Sequence, residues 1–186
     1  MKEIRFHGRG GQGVVIGSEL LADAAVREGR YGQSFPTFGP ERKGSPVMAF
    51  TRIDDKPIRL RCQIYEPDYV IVLDQSVCRF QDVANGLKAR GVVILNTPYK
   101  SENVKKELIT KGQIYTIDAT NIAIRNLGSP VVNTAILGAF VAITGEVKLE
   151  SICDAITDRF PNHVAKKNIQ AVKEAYEKMT RERFYV

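Results

Sequence analysis

Tryptophan is absent and histidine occurs only twice, at His7 and His163. Cysteine occurs three times, at Cys62, Cys78 and Cys153, far apart along the chain. An odd and scattered set is no disulfide framework. It also lacks the close spacing that iron–sulfur clusters need, and with so few histidines a zinc site has little support. No run approaches the ~18 apolar residues of a transmembrane helix. The opening stretch, Met1 to Gly8, has no apolar core followed by a small-residue cleavage site, so a cytoplasmic location is expected. No lysine follows a glycine-rich loop in the manner of an ATPase, and no Gly-x-Ser-x-Gly elbow is present. No nucleophile–base pair stands out, so no catalytic residue is expected in this chain.

Acidic excess is missing too. There are 27 Lys and Arg against 21 Asp and Glu in 186 residues. A basic balance permits an anionic ligand, an acidic partner or nucleic acid. The cations are spread, with small groups only at Lys105-Lys106, Lys166-Lys167 and Arg181 to Arg183. Such groups read as solvated helix faces and argue against nucleic acid.

The length suits one domain spanning residues 1–186. Residues 2–7 read as a buried first strand. Residues 12–28 carry apolar side chains at helical spacing, and Gly29 follows as a C-cap. Residues 30–45 begin as a short strand and become a long loop rich in glycine, proline, aromatics and charge, of the kind that is often functional. Pro46 to Ile53 alternates as a strand, and Ile58 to Gln63 reads as its hairpin partner across Asp54-Asp55-Lys56-Pro57. Tyr69 to Leu73 is a continuous apolar run, the pattern of a strand covered on both faces.

A helix is predicted over residues 75–90, a strand over 92–95, a short charged helix over 102–110 and a strand over 113–117. Asp118 opens a helix as its N-cap. Asn133-Thr134 open another that is apolar nearly all round and therefore buried. Amphipathic helices follow over residues 149–159 and 163–180. The pattern predicts an α/β, three-layer Rossmann-like sandwich with a mainly parallel, partly mixed sheet.

Gly8-Arg9-Gly10-Gly11-Gln12-Gly13 lies between the first strand and the first helix, where a dinucleotide fingerprint belongs. Glycines permit close backbone approach, the helix N-terminus offers N–H groups to an anion, and Arg9 adds a charge. The ribose-binding acid expected about 20 residues on is missing, because residues 30–38 hold no acid and Glu41 falls too late. Three readings stay open: a phosphate-bearing ligand or a partner's cofactor against the turn, a tight turn that only needs small residues, and a free-standing NAD or flavin site. Arg42 and Lys43 could grip phosphate or carboxylate from the loop. Asp74, just after an apolar strand, is at a usual place for function and is also a common cap.

Several blocks then match in order. Gly8 to Val15 resembles the opening motif of the gamma subunit of pyruvate and 2-ketoisovalerate:ferredoxin oxidoreductases. Phe38 to Val47, Glu66 to Asp74, Asp118 to Thr120, Val132 to Ala139 and Asn168 follow the same family. The resemblance covers nearly the whole chain.

The resemblance implies a complex that decarboxylates a 2-oxoacid on thiamine diphosphate with Mg2+. Electrons pass through [4Fe-4S] clusters to ferredoxin, and the acyl group goes to coenzyme A. It also implies alpha-, beta- and delta-type partner subunits that hold the thiamine and the clusters. This chain would be a domain inactive alone, binding no cofactor by itself. It would contribute Gly8, Arg9, Gly10, Gly11, Gln12, Gly13, Arg42 and Lys43 to subunit contacts and the coenzyme A side. The Phe38 to Val47 block is closer to the pyruvate branch than to the 2-oxoglutarate branch. A purely structural adaptor remains the rival within the complex.

Overall fold

The computed structural model describes residues 1–37, 44–105, 108 and 110–184. Six strands form one mixed sheet: β1 (Lys2–Arg9), β2 (Tyr31–Pro36), β3 (Pro46–Asp54), β4 (Tyr69–Val72), β5 (Val92–Asn96) and β6 (Gln113–Ile117). Their order is β2-β3-β1-β4-β5-β6. The pairs β1–β4, β4–β5 and β5–β6 are parallel, and β3 runs antiparallel to both β1 and β2. The helices are α1 (Val14–Arg27), α2 (Ser101–Val104), α3 (Ala119–Leu127), α4 (Ala135–Thr144), α5 (Leu149–Arg159) and α6 (Asn162–Phe184).

Strand alternation sends side chains to two faces. Ile4, Phe6, Ile71, Leu73 and Ile94 meet α1 and the C-terminal helices in the main core. Val70, Val72, Val93 and Leu95 point the other way into a smaller core with Val77, Val83 and Val104. Two covered faces explain the uninterrupted apolar runs of β4 and β5. α4 is buried along its length, as its all-round apolar sequence predicts. Gly138 lets α4 approach α6, since a Cβ there would stand 2.1 Å from the Val172 carbonyl oxygen. α1 ends as expected at Gly29: its N–H bonds to the Val26 carbonyl and the Arg30 N–H to the Ala25 carbonyl, the paired bonds of a Schellman motif.

Two predicted elements are corrected. The hairpin does not form, because β3 has β1 on one edge and β2 on the other. Residues 57–62 run without regular structure. The buried Arg52 guanidinium donates to the carbonyls of Cys62 (2.9 Å) and Gln63 (3.5 Å) instead, while pairing with Glu3 at 2.9 Å. The helix predicted over 75–90 shrinks to a 3-10 turn at Gln75–Arg79. Arg5 reaches out from β1 and takes the Val83 and Asn85 carbonyls, at 3.0 and 2.5 Å, that a helix would have used. The Asp82 side chain also accepts from the Ala84 N–H at 3.1 Å, and Gly86 has positive φ. The third layer is therefore this irregular segment with α2. The short helix expected over 102–110 is described only as α2, and residues 106, 107 and 109 lie outside the described part.

His7 is 2% exposed. Its Nε2 accepts from Arg5 Nε at 3.1 Å, and Arg can only donate. Nδ1 therefore carries the proton and donates to Gln81 Oε1 at 3.3 Å. Burial, then the Arg5 charge, push its pKa down to about 3, against the weaker pull of the Gln81 bond.

Two outcomes are expected. Between pH 6.5 and about 3 the unfolded chain binds a proton that native His7 refuses, so stability falls with pH by about 1.4 kcal/mol per unit from this residue. Urea melts of His7→Gln should show a shallower fall across that window. Gly138→Ala should cost about 1–3 kcal/mol through overpacking against α6, read as a lower urea midpoint.

Candidate functional site

The C-terminal ends of β1, β4, β5 and β6 open on one edge of the sheet, the usual place for ligands in open α/β folds. The turn after β1 is Gly10 to Gly13. Gly13 takes a left-handed conformation, φ 75 and ψ 30, and precedes α1 with no side-chain cap. A Cβ on Gly8 would meet Val14 Cγ2 at 2.6 Å, and one on Gly13 would meet Asn133 Nδ2 at 2.4 Å. These two glycines are thus required by packing, whatever they bind. The first turn of α1 holds no acidic residue.

Asp74, at the end of β4, organises this edge. Its carboxylate caps the 3-10 turn through the Ser76 N–H (2.9 Å), accepts the Ser76 hydroxyl (2.5 Å), and accepts Gln12 Nε2 (2.8 Å). Arg9 Nε stands 3.6 Å from its second oxygen. Burial raises the Asp74 carboxyl pKa, but the Ser76 and Gln12 bonds and the Arg9 charge outweigh it, and the net shift is downward. Gln12 Oε1 in turn accepts the Arg9 N–H at 2.7 Å, closing the glycine turn on itself.

Arg9 also donates to Ser76 Oγ (2.8 Å) and to the Gly44 carbonyl (3.3 Å), and lies over the Phe80 ring at 5.9 Å. The Gly10 N–H donates to the Ser45 carbonyl at 2.9 Å, and the Gly44 N–H to the Gly10 carbonyl at 3.3 Å. The end of the long loop is therefore fastened to the glycine turn. Arg42 and Lys43 lie outside the described residues, two and one positions before Gly44. Of the predicted site residues, Gly8, Arg9, Gly10, Gly11, Gln12 and Gly13 come together at this edge.

Sequence patterns did not single out the polar residues at the end of β5, Asn96 and Thr97. Asn96 Nδ2 donates to the Leu73 carbonyl (2.8 Å) and Thr120 Oγ1 (2.9 Å), and Thr97 Oγ1 donates to Gln75 Oε1 (2.6 Å). Asp118 caps α3 by accepting the Asn121 N–H at 3.0 Å, as expected. A cleft of about 640 Å3 runs from Gly10, Gly11 and Gln12 past Asp74, Asn96 and Thr97 to Asp118. A second, about 520 Å3, is walled by apolar side chains of α1, α3 and α6 together with Val47, Val131 and Phe160. Asn133 does not cap α4. Its Oδ1 accepts only the next N–H, that of Thr134, at 3.0 Å, and Thr134 Oγ1 bonds Asn168 at 2.7 Å.

The dinucleotide reading meets a topological obstacle as well as the missing acid. In the fingerprint unit the strand after the first helix lies beside the first strand. Here β3 stands between β1 and β2.

Residues 3–178 match the family described as pyruvate ferredoxin/flavodoxin oxidoreductase. The chain is 55% identical over 181 residues to the pyruvate synthase subunit PorC of Methanothermobacter marburgensis, covering 96% of this chain and 98% of that one. It is 55% identical over 179 residues to the pyruvate/ketoisovalerate oxidoreductases common subunit gamma of Pyrococcus furiosus, covering 96% and 97%. The crystal structure of pyruvate oxidoreductase subunit PORC from Thermotoga maritima superposes with a TM-score of 0.85 at 38% identity, over 95% of each chain.

Asp74→Ala should free Gln12 and Arg9 together. Amide exchange at Gly10 to Val14 should accelerate roughly tenfold or more, in line with the loss of hydrogen bonds to a charged group, while exchange in α6 stays unchanged.

Proposed function

Because the chain belongs to the pyruvate ferredoxin/flavodoxin oxidoreductase family, we propose that it works as the gamma-type subunit of a pyruvate:ferredoxin oxidoreductase. The reading is carried by the 55% identity to subunits of that kind along nearly the full length of both chains. The complex converts pyruvate and coenzyme A to acetyl-CoA and CO2, and two electrons pass one at a time to ferredoxin. The chain is an enzyme only as part of that complex.

Thiamine diphosphate, Mg2+ and the [4Fe-4S] clusters belong in this reading to alpha-, beta- and delta-type subunits. This chain's donor set does not fit a cluster: among the described residues no three His, Cys, Asp or Glu side chains converge, and Cys62, Cys78 and Cys153 sit on separate segments. Coenzyme A fits better. Its diphosphate needs N–H donors and cations, which the glycine turn, the α1 N-terminus and Arg9 offer, with Arg42 and Lys43 close by in sequence. The task of these groups is to bind and orient the thiol donor, and no proton or electron step is assigned to them. Phe80, 71% exposed, and Tyr99, 59% exposed, flank the same edge and suit contacts with neighbouring subunits. No helix of the described residues is long and apolar enough to cross a membrane, and a cytoplasmic complex is proposed.

Coexpression with its partner subunits should yield a complex that reduces ferredoxin when given both pyruvate and coenzyme A, while the isolated chain does nothing. In that complex Arg42→Ala should raise the KM for coenzyme A roughly tenfold, the weight of one charge-assisted contact. An unchanged KM with weakened assembly would favour the adaptor role instead.

A further inference from the structure

The two layers that cover the sheet show different surfaces to solvent. On the helical layer, Arg27 of α1 pairs with Asp23 and Asp158, Arg125 of α3 with Glu174, and Arg159 of α5 with Glu19. The irregular layer, residues 57–66 and 79–90, exposes Arg59, Arg61, Arg79 and Arg90, and none of these has an acidic partner among the described residues. Its one lysine, Lys88, pairs with Asp68 at 2.9 Å. The acids within these two segments are Glu66 and Asp82. Large apolar side chains divide the same way. Leu60, Tyr65 and Phe80 are exposed on the irregular layer, Tyr65 to 69%, while the described helices of the other layer expose only Val26 and Ile124.

The irregular surface is firmly backed. Glu3 pairs across the ladder with Arg52 and Arg5 with Phe50, so Arg5 and Arg52 rise from one face of the sheet. Arg52 holds the Cys62 and Gln63 carbonyls, Gln33 Nε2 holds the Leu60 carbonyl at 3.2 Å, and Arg5 holds those of Val83 and Asn85. The two segments also lock together. Gly86 has φ 72, and a Cβ there would stand 2.0 Å from the Tyr65 carbonyl oxygen. The Lys88 N–H donates to the Pro67 carbonyl at 3.1 Å. With these carbonyls bonded to buried donors, the backbone is ordered before any partner arrives, which lowers the entropic cost of binding. Arginine and aromatic side chains with little lysine are the composition of interface centres.

We propose that the irregular layer, centred on Arg59, Leu60, Arg61 and Tyr65, docks a neighbouring subunit whose surface presents carboxylates around an apolar patch. The unpaired guanidiniums call for carboxylates, which they bind in a bidentate fork. Leu60 and Tyr65 call for apolar contact. Arg52 pairs with Glu3 near the start of β1, whereas Arg9 ends that strand beside the glycine turn. Docking at this centre therefore fixes the chain in the complex without occupying the turn. The inference rests on the reading that the chain works within a complex.

The test uses the coexpressed complex on size-exclusion columns at rising salt, with the affinity of the chain for its partners measured by titration. The double variant Arg59→Glu, Arg61→Glu should bind at least about tenfold more weakly and dissociate at lower salt. Lys166→Glu with Lys167→Glu makes the same charge change on exposed residues of α6 and should leave attachment unchanged. The urea midpoint of the isolated Arg59/Arg61 variant should match wild type, since both side chains are exposed and unpaired. Should that variant fail to fold, Tyr65→Ala removes the exposed ring alone and should weaken attachment likewise. Variants held as tightly as wild type, or an equal loss in the α6 control, overturn the inference. A working complex that is indifferent to Arg59, Arg61 and Tyr65 refutes this inference alone. A complex that depends on them yet does not use pyruvate and coenzyme A refutes the functional reading alone.

Discussion

Asp74 accepts Gln12 at 2.8 Å and Ser76 twice, and its charge faces Arg9 at 3.6 Å. Through Gln12 it closes the turn after β1. Through Arg9, which also reaches the Gly44 carbonyl, it holds the end of the long loop against that turn. Three segments distant in sequence thus share one anion. A carboxylate that accepts several hydrogen bonds and faces a guanidinium is worth more than a surface pair, because each partner is partly withdrawn from water. The turn's amides and the α1 N-terminus are held in one arrangement by this charge, and whatever binds there meets a prepared surface.

A second constraint works on the same face of the sheet, further back along β1 from Arg9. Arg5 and Arg52 are buried at 7% and 1% exposure, with the neutral His7 beside Arg5. Both guanidiniums spend their N–H groups on backbone carbonyls of irregular segments. This is why residues 57–62 and 80–90 cover the sheet without regular structure. A helix or hairpin there would have satisfied its own carbonyls and left guanidinium N–H groups of both arginines without acceptors in the interior, a costly outcome.

These two arginines also mark where local pattern stopped being informative. The apolar alternation of 46–53 and 58–63 reads as a hairpin, and that of 75–90 as a helix, because periodicity carries no information on a cation arriving from another strand. The elements whose own chemistry decides them were legible: α1 with Gly29, α3 with Asp118, and the apolar β4, β5 and α4. At the site, the glycine turn was legible from its spacing, and Asp74 from its position after an apolar strand. Asn133 reads in the sequence as the opening of an apolar helix, where Asn is usually a cap. Only its geometry against Gly13 shows that its amide nitrogen faces a different helix.

In the proposed reading this chain supplies a shaped, donor-rich edge to a larger enzyme. Hydrogen exchange of the glycine turn tests this most directly, comparing the free chain, the assembled complex, and the complex with coenzyme A. The account predicts that amides of Gly10 to Ile16 slow on assembly and slow further with coenzyme A, while α6 is unaffected by the ligand. Unchanged exchange at the turn in all three states would contradict it.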